Sequence, residues 1–247
     1  MPDDAAVEPD GRRTQGGVAT TDVVHSAAVA GNAEIFPDIL RLHVPSGAVI
    51  ADVTYGKGVF WRNVDLQRYE LRATDLQTGV DATDLPYEDD SLDALVLDPP
   101  YMEGLFRKST DHMAGGGTHH AFRKHYSDGR ATEAVEGKPK WHDAVLDLYF
   151  RAGAEAKRCL KIGGTFIVKC QDEVSANRQR LTHVELIDHF EDQDFYCKDL
   201  FVVVRNNKPG MSRVKKQVHA RKNHSYFLVF VLCPPGKAGK AKSVAVD

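Results

Sequence analysis

The sequence predicts a doubly wound α/β domain: a mostly parallel sheet of seven strands, helices on both faces, and an antiparallel hairpin at one edge. Three observations carry this expectation. Short, almost wholly apolar runs alternate with segments of helical period, and such runs are strands covered on both faces. Several end in an acidic residue and a turn, where open sheets of this class carry their ligands. The last two runs are joined by about 19 residues without a helical pattern, a connection that suits antiparallel neighbours.

Taken in order, residues 1–22 are polar, acidic and aperiodic and are expected to be a disordered lead-in. A helix over Glu34–Leu42, with Pro37 in its first turn, precedes the first strand, Gly47–Val53. Tyr69–Thr74 is the second strand; a short third ends just before Asp81; Ala94–Leu97 is the fourth. Val145, Leu148, Tyr149, Ala152, Ala156, Cys159 and Leu160 fall on one helical stripe, which Gly163-Gly164 stops before the next strand, Thr165–Cys170. A helix over Asn177–Phe190 turns Leu181, Val184 and Ile187 inward. Leu200–Arg205 and Ser225–Leu232 close the sheet, and residues 234–247 are expected to be a disordered tail. The folded domain is therefore placed at 23–233, with an insertion at 102–140 that breaks the strand–helix rhythm.

The 247 residues, 42% of them apolar, suit one large domain with a substantial core. The longest apolar runs, Leu200–Val204 and Tyr226–Cys233, are far shorter than a membrane span, and the start lacks the pattern of a secretory signal. Cys159, Cys170, Cys197 and Cys233 are scattered; free thiols in a reducing cytoplasm are the expectation, with no metal. Histidines 112, 119, 120 and 125 lack a cysteine or carboxylate at ligand spacing.

The net charge of −3 hides a segregation. Between Asp75 and Asp98 lie eight carboxylates and no Lys or Arg; between Arg205 and Lys222 lie seven Lys or Arg and no carboxylate. The first strand runs into Asp52-Val53-Thr54-Tyr55-Gly56-Lys57-Gly58, an acid followed by Gly-x-Gly at the opening of a helix. Glycines there let the backbone approach a ligand. A dinucleotide site wants a third glycine where Trp61 stands, and Trp is too large for that packing. Asp75 closes the second strand, where a carboxylate accepts ribose hydroxyls, and Asp81 follows the third, placed for an adenine amino group. Ordered carboxylates without cations repel phosphate and suit a positively charged, adenosine-bearing cofactor, S-adenosylmethionine.

The fourth strand ends in Asp98-Pro99-Pro100-Tyr101. The prolines lack donors and stiffen the exit, so the Pro99 carbonyl and the Asp98 carboxylate form an acceptor pair beside an aromatic ring. An exocyclic base amine is a poor nucleophile because its lone pair is delocalised into the ring. Two acceptors on its hydrogens bias the nitrogen toward sp3, and a stacked ring fixes the line of attack.

In that order, Asp52–Gly58, Asp75, Asp81 and Asp98–Tyr101 resemble the S-adenosylmethionine-dependent N6-adenine and N4-cytosine DNA amino-methyltransferases, over roughly residues 30–232. The resemblance implies a class I methyltransferase-like Rossmann fold, with Asp52, Thr54, Gly56 and Gly58 at the methionine end of the cofactor, Asp75 at the ribose and Asp81 at the adenine. It implies Asp98, Pro99, Pro100 and Tyr101 at the target base, adenine N6 favoured over cytosine N4, within DNA methylation and restriction–modification. Arg205, Lys208, Arg213, Lys215, Lys216, Arg221 and Lys222 are the expected contacts to DNA or, in a rival reading, RNA. A non-catalytic nucleic-acid-binding protein is the rival from another class. The 102–140 insertion mixes Arg107, Lys108, Arg123 and Lys124 with Phe106, Phe122 and Tyr126 and is expected to border the base pocket. Lys169 and Asp172, at the end of the fifth strand, could border the site, with a structural role the favoured reading.

Overall fold

The computed structural model describes residues 23–101, 142–205 and 216–237. In chain order its elements are β1 (Ala27–Val29), α1 (Asn32–His43), β2 (Val49–Asp52), β3 (Glu70–Ala73), β4 (Leu92–Leu97), α2 (His142–Cys159), β5 (Leu160–Cys170), β6 (Glu173–Ser175), β7 (Arg178–Arg180), α3 (Thr182–Glu191), β8 (Phe195–Val204) and β9 (His224–Leu232). The seven-stranded sheet runs β1-β8-β9-β5-β4-β2-β3. β3, β2, β4 and β5 are parallel neighbours, β9 is antiparallel to both β5 and β8, and β1 is parallel to β8.

Each face of the sheet carries its own core. α1 and the segment after β2 pack Ile35, Phe36, Ile39, Phe60 and Trp61 onto Ile50, Val96, Ile167, Phe227 and Val229. On the other face α2 and α3 bring Val145, Leu148, Tyr149, Ala152, Leu186 and Phe190 against Leu95, Leu97, Phe166, Leu228 and Phe230. The stripe predicted for α2 is thus the buried one. Gly153 is required there, because a Cβ at this position would run into the Phe190 ring.

Five expectations are corrected. No third strand forms before Asp81, which makes only an isolated bridge with Asp84; the seventh strand is β1, a segment too short to show periodicity. Because β1 pairs with β8, the β8–β9 hairpin lies inside the sheet and not at its edge. Residues 177–180, expected to be helical, belong to or border the β6–β7 hairpin; α3 starts at Thr182 and buries Leu186 and Phe190, with Leu181 and Val184 exposed. Gly163-Gly164 does not separate α2 from the next strand, since β5 begins directly at Leu160 and carries both glycines. Pro37 lies inside α1, not in its first turn. The helix hydrogen bond that its missing N–H would have given to Ala33 is replaced by Asn63, whose side chain donates to the Ala33 carbonyl at 3.0 Å. The predicted lead-in 1–22, most of the tail and the 102–140 insertion lie outside the described residues. Among the described residues Cys159, Cys170 and Cys197 are free thiols, no acidic, His or Cys group has metal-site geometry, and no helix is long and apolar enough to cross a membrane.

Candidate active site

The parallel strands β2 and β4 end side by side, with Asp52 opposite Val96. The turn that leaves β2 and the exit from β4 are therefore neighbours at one edge of the sheet. Alternation along each strand puts Asp52 on the same face as Ile50, and Asp98 on the same face as Val96 and Ala94, the α1 face.

Gly56 and Gly58 have φ of 53° and 61°, left-handed values that glycine adopts freely. A Cβ on Gly58 would also meet the Tyr55 hydroxyl at 2.5 Å. The segment that follows is a single 3-10 turn, Phe60–Asn63, where an α-helix was expected. Trp61 explains the difference. Its indole is buried and donates from Nε1 to Asp52 Oδ2 at 2.7 Å, which pulls the chain back onto the strand end. Asp52 Oδ1 accepts from the Thr54 amide at 3.0 Å and the Thr54 hydroxyl at 3.4 Å. Burial, with the Asp98 charge adding to it, pushes the Asp52 carboxyl up to about 7 against the opposing hydrogen bonds. Asp52 thus organises the turn from beneath.

Asp75 serves two backbones. Its Oδ1 caps the short turn Leu76–Thr78 through the Gln77 and Thr78 amides at 2.8 and 3.0 Å, and its Oδ2 accepts from the Gly56 amide at 3.0 Å. Asp81 accepts from the Thr83 amide and hydroxyl at 2.8 and 2.9 Å. The acidic stretch is less bare than its sequence implies, because α2 supplies cations to it. Arg158 pairs with Asp89 at 2.8 Å and donates to the Leu85 and Tyr87 carbonyls, while Arg151 donates to Thr83. Asp75, Asp81 and Asp84 keep no ion pair among the described residues, and Asp81 and Asp84 are exposed.

Beyond β4, the Asp98 amide donates to Thr54 Oγ1 at 2.6 Å, which ties the proline corner to the glycine turn. Pro99, Pro100 and Tyr101 are buried, and the Tyr101 hydroxyl donates to Asp98 Oδ1 at 2.5 Å. Desolvation pushes Asp98 up to about 6, opposed by the Tyr101 hydrogen bond and by the charges of Lys169 and Arg205. Burial and the Asp98 charge push the Tyr101 phenol far above its ordinary value. Lys169, expected to be structural, sits beside this corner. It is 1% exposed, its Nζ has no hydrogen-bond partner among the described residues, and that Nζ lies 3.7 Å from the centroid of the Phe227 ring. A lysine inside an apolar strand is the sequence signal that marks it.

Arg205 leaves the end of β8, and its amide donates to the Asn223 carbonyl at 2.8 Å just before β9. β8 runs parallel to β5, so the 205–223 connection leaves the same edge of the sheet as Asp98. Lys216 and Arg221 are exposed and Lys222 is partly so; Lys208, Arg213 and Lys215 lie outside the described residues.

This topology, with an acid–glycine turn after one central strand and an Asp-Pro-Pro-Tyr corner after its neighbour, defines a class I methyltransferase-like fold with an amino-methyltransferase corner. The family model described as DNA methylase, covering N6 and N4 methyltransferases, matches residues 92–239. The chain belongs to that family. It is an S-adenosylmethionine-dependent methyltransferase, and the glycine turn lies ahead of the matched stretch. A search of curated proteins finds no match. Among solved structures, a chain of the complex between the Haloferax volcanii Trm112 methyltransferase activator and a candidate methyltransferase is similar at TM-score 0.45 and 15% identity, covering 81% of this chain and 90% of that one. The PvuII cytosine-N4-specific DNA methyltransferase is similar at TM-score 0.40 and 12% identity, covering 62% of this chain and 47% of that one. A candidate DNA modification methylase from Thermus thermophilus, complexed with S-adenosyl-L-methionine, is similar at TM-score 0.39 and 14% identity, covering 79% of this chain and 58% of that one.

The residues present fit such a cofactor. The turn offers glycine backbone and acidic side chains, and its one cation, Lys57, is exposed. That donor set favours a cationic, phosphate-free ligand.

Proposed function

We propose that this enzyme transfers a methyl group to an exocyclic amine of a DNA base, adenine N6 in preference to cytosine N4. The observation that carries the reading is the 2.6 Å bond from the Asp98 amide to Thr54 Oγ1. One hydroxyl joins the turn that would hold the donor to the corner that would hold the acceptor, so the two are kept in fixed relation.

In this reading Asp52, Thr54, Gly56 and Gly58 hold the methionine end of the cofactor, Asp52 mostly through the turn that it supports. Asp75 takes the ribose hydroxyls and Asp81 the adenine amine. Bound S-adenosylmethionine supplies a methyl group on a sulfonium. Asp98 and the Pro99 carbonyl accept the two hydrogens of the target amine, Pro100 keeps the corner rigid, and Tyr101 stacks the base once its hydroxyl yields Asp98 to the substrate. After transfer the methylated nitrogen is cationic, and Asp98 accepts its proton. A base must leave the duplex to reach this corner. Arg205, Lys216, Arg221 and Lys222, with Lys208, Arg213 and Lys215 in the same connection, hold the phosphates around it. Preference for adenine rests on the resemblance of the Asp98–Tyr101 motif.

The test is direct. The protein is incubated with labelled S-adenosylmethionine and either DNA or RNA, and the polymers are digested to nucleosides. Label in N6-methyldeoxyadenosine is the expected result; label in N4-methyldeoxycytidine changes the base, and label only in RNA overturns the substrate. Asp98→Ala is expected to abolish transfer while cofactor affinity stays nearly unchanged.

A further inference from the structure

Lys169 is the last but one residue of β5, and its Nζ has no hydrogen-bond partner among the described residues although the residue is 1% exposed. A buried ammonium without an acceptor is costly, and nothing in packing demands it here, since Phe227 across the strand pair would accept an apolar neighbour equally well. The register explains its company. Leu97 of β4 lies opposite Val168 of β5, so Asp98 and Lys169 follow side by side and project to the same face. Other groups near Asp98 are differently placed: Tyr101 donates to it from the same turn, Asp52 adds like charge from β2, and Arg205 lies at the exposed end of β8. Tyr149 on α2 and Cys170 on β5 also sense this cluster, and burial holds both neutral. Arg205 is open to screening by salt; Lys169 is the cation that water cannot screen.

We propose that Lys169 is the buried counter-cation of Asp98, a positioning residue that acts on the target amine only through that carboxylate. The inference rests on the methyl-transfer reading of Asp98 and adds a residue to it. Desolvation lowers Lys169 to about 7 while Asp98 holds it up, and the same pairing restrains the rise of Asp98. When DNA covers the corner and removes water, this cation keeps the carboxylate in its accepting form. Phe227 supports the ammonium through its ring face.

The experiment compares wild type with Lys169→Met, Lys169→Gln and Lys169→Arg. The carboxyl 13C resonance of Asp98, assigned by its loss in Asp98→Asn, is titrated, and kcat/KM on sheared genomic DNA is measured against pH. In Lys169→Met, the Asp98 midpoint and the acid limb of the rate profile are both expected to move up by about one pH unit. S-adenosylmethionine affinity by calorimetry is expected to stay within about twofold of wild type, and Lys169→Arg to restore both midpoints. Lys169→Met exchanges the ammonium for a thioether over Phe227; should it fail to fold, Lys169→Gln gives the same comparison. An unmoved Asp98 midpoint in a folded neutral variant overturns the proposal, as does an arginine variant that titrates like the methionine one. A shifted carbon resonance in an enzyme that modifies no nucleoside upholds the pairing and overturns the methyl-transfer reading instead.

Discussion

Trp61 and Asp52 form a hydrogen bond of 2.7 Å between an indole and a fully enclosed carboxylate. Trp61 was the residue that broke the glycine pattern; here it takes the place of a third glycine, folding the chain back as a 3-10 turn and satisfying the acid that ends β2. Its packing against Phe36 at 5.1 Å joins the site to α1.

The burial of Asp52, which this bond opposes, makes stability depend on pH. Asp52 ionises at about 7 in the folded chain, well above its ordinary 3.8, so the folded state keeps a proton that the unfolded state releases between those values. Its contribution to stability is full below about 4 and is lost as pH rises through about 7. Trp61→Phe removes a donor to the charged form, so its destabilisation is expected to be larger at pH 8 than at pH 5, by about 1 kcal/mol. Urea unfolding at the two pH values measures it; equal losses contradict the assignment.

Asp98 must be ionised to accept hydrogens from an amine, and its carboxyl is raised to about 6. Methylation is therefore expected to fall away as pH drops through about 6 and to be flat just above it, read from kcat/KM on DNA. A rate independent of pH between 5 and 7 would remove Asp98 from the chemistry.

Thr54→Ser keeps the hydroxyl that accepts from the Asp98 amide, and Thr54→Val removes it. The serine variant is expected to work near the wild-type rate and the valine variant about 10-fold to 100-fold more slowly, the loss from leaving a partly buried N–H unpaired. Initial rates at saturating cofactor decide it.

Gly153→Ala drives a methyl group into Phe190, whose ring packs edge-on to Phe166 and Phe230. A destabilisation of about 1–3 kcal/mol is expected from overpacking, with the pH dependence of any methylation unchanged. Thermal melting beside the rate profile separates the two effects.

Affinity for DNA is expected to weaken steeply with salt, and Lys216→Ala and Arg221→Ala each to reduce the slope of log K against log salt by about one. Fluorescence anisotropy at several salt concentrations gives the slopes. If neither changes it, the connection before β9 does not meet phosphate.

Much of this could be read along the chain. Strands covered on both faces write themselves as apolar runs, so β2, β4 and β9 were placed within about two residues, while β5 and β8 begin five residues earlier than expected; β3, only partly buried, was placed within one residue at each end. The Asp98–Tyr101 tetrapeptide is local, so its position was legible directly. Segments whose state depends on a distant partner were not legible: β1 has three residues and exists because β8 offers an open edge, and 178–180 left the helical reading because they pair with 173–175.

By itself the sequence determined that Asp52 and Asp98 stand at the ends of two strands and that the glycine turn and the Asp98–Tyr101 corner follow them. Only the tertiary structure decided what each acid faces: Asp52 toward Trp61, Asp75 toward the Gly56 amide, Asp98 toward Thr54, Tyr101 and the buried Lys169. The reason is physical. Periodicity records burial, a property of each residue alone, whereas hydrogen bonds and charge pairs depend on register between strands far apart in the chain.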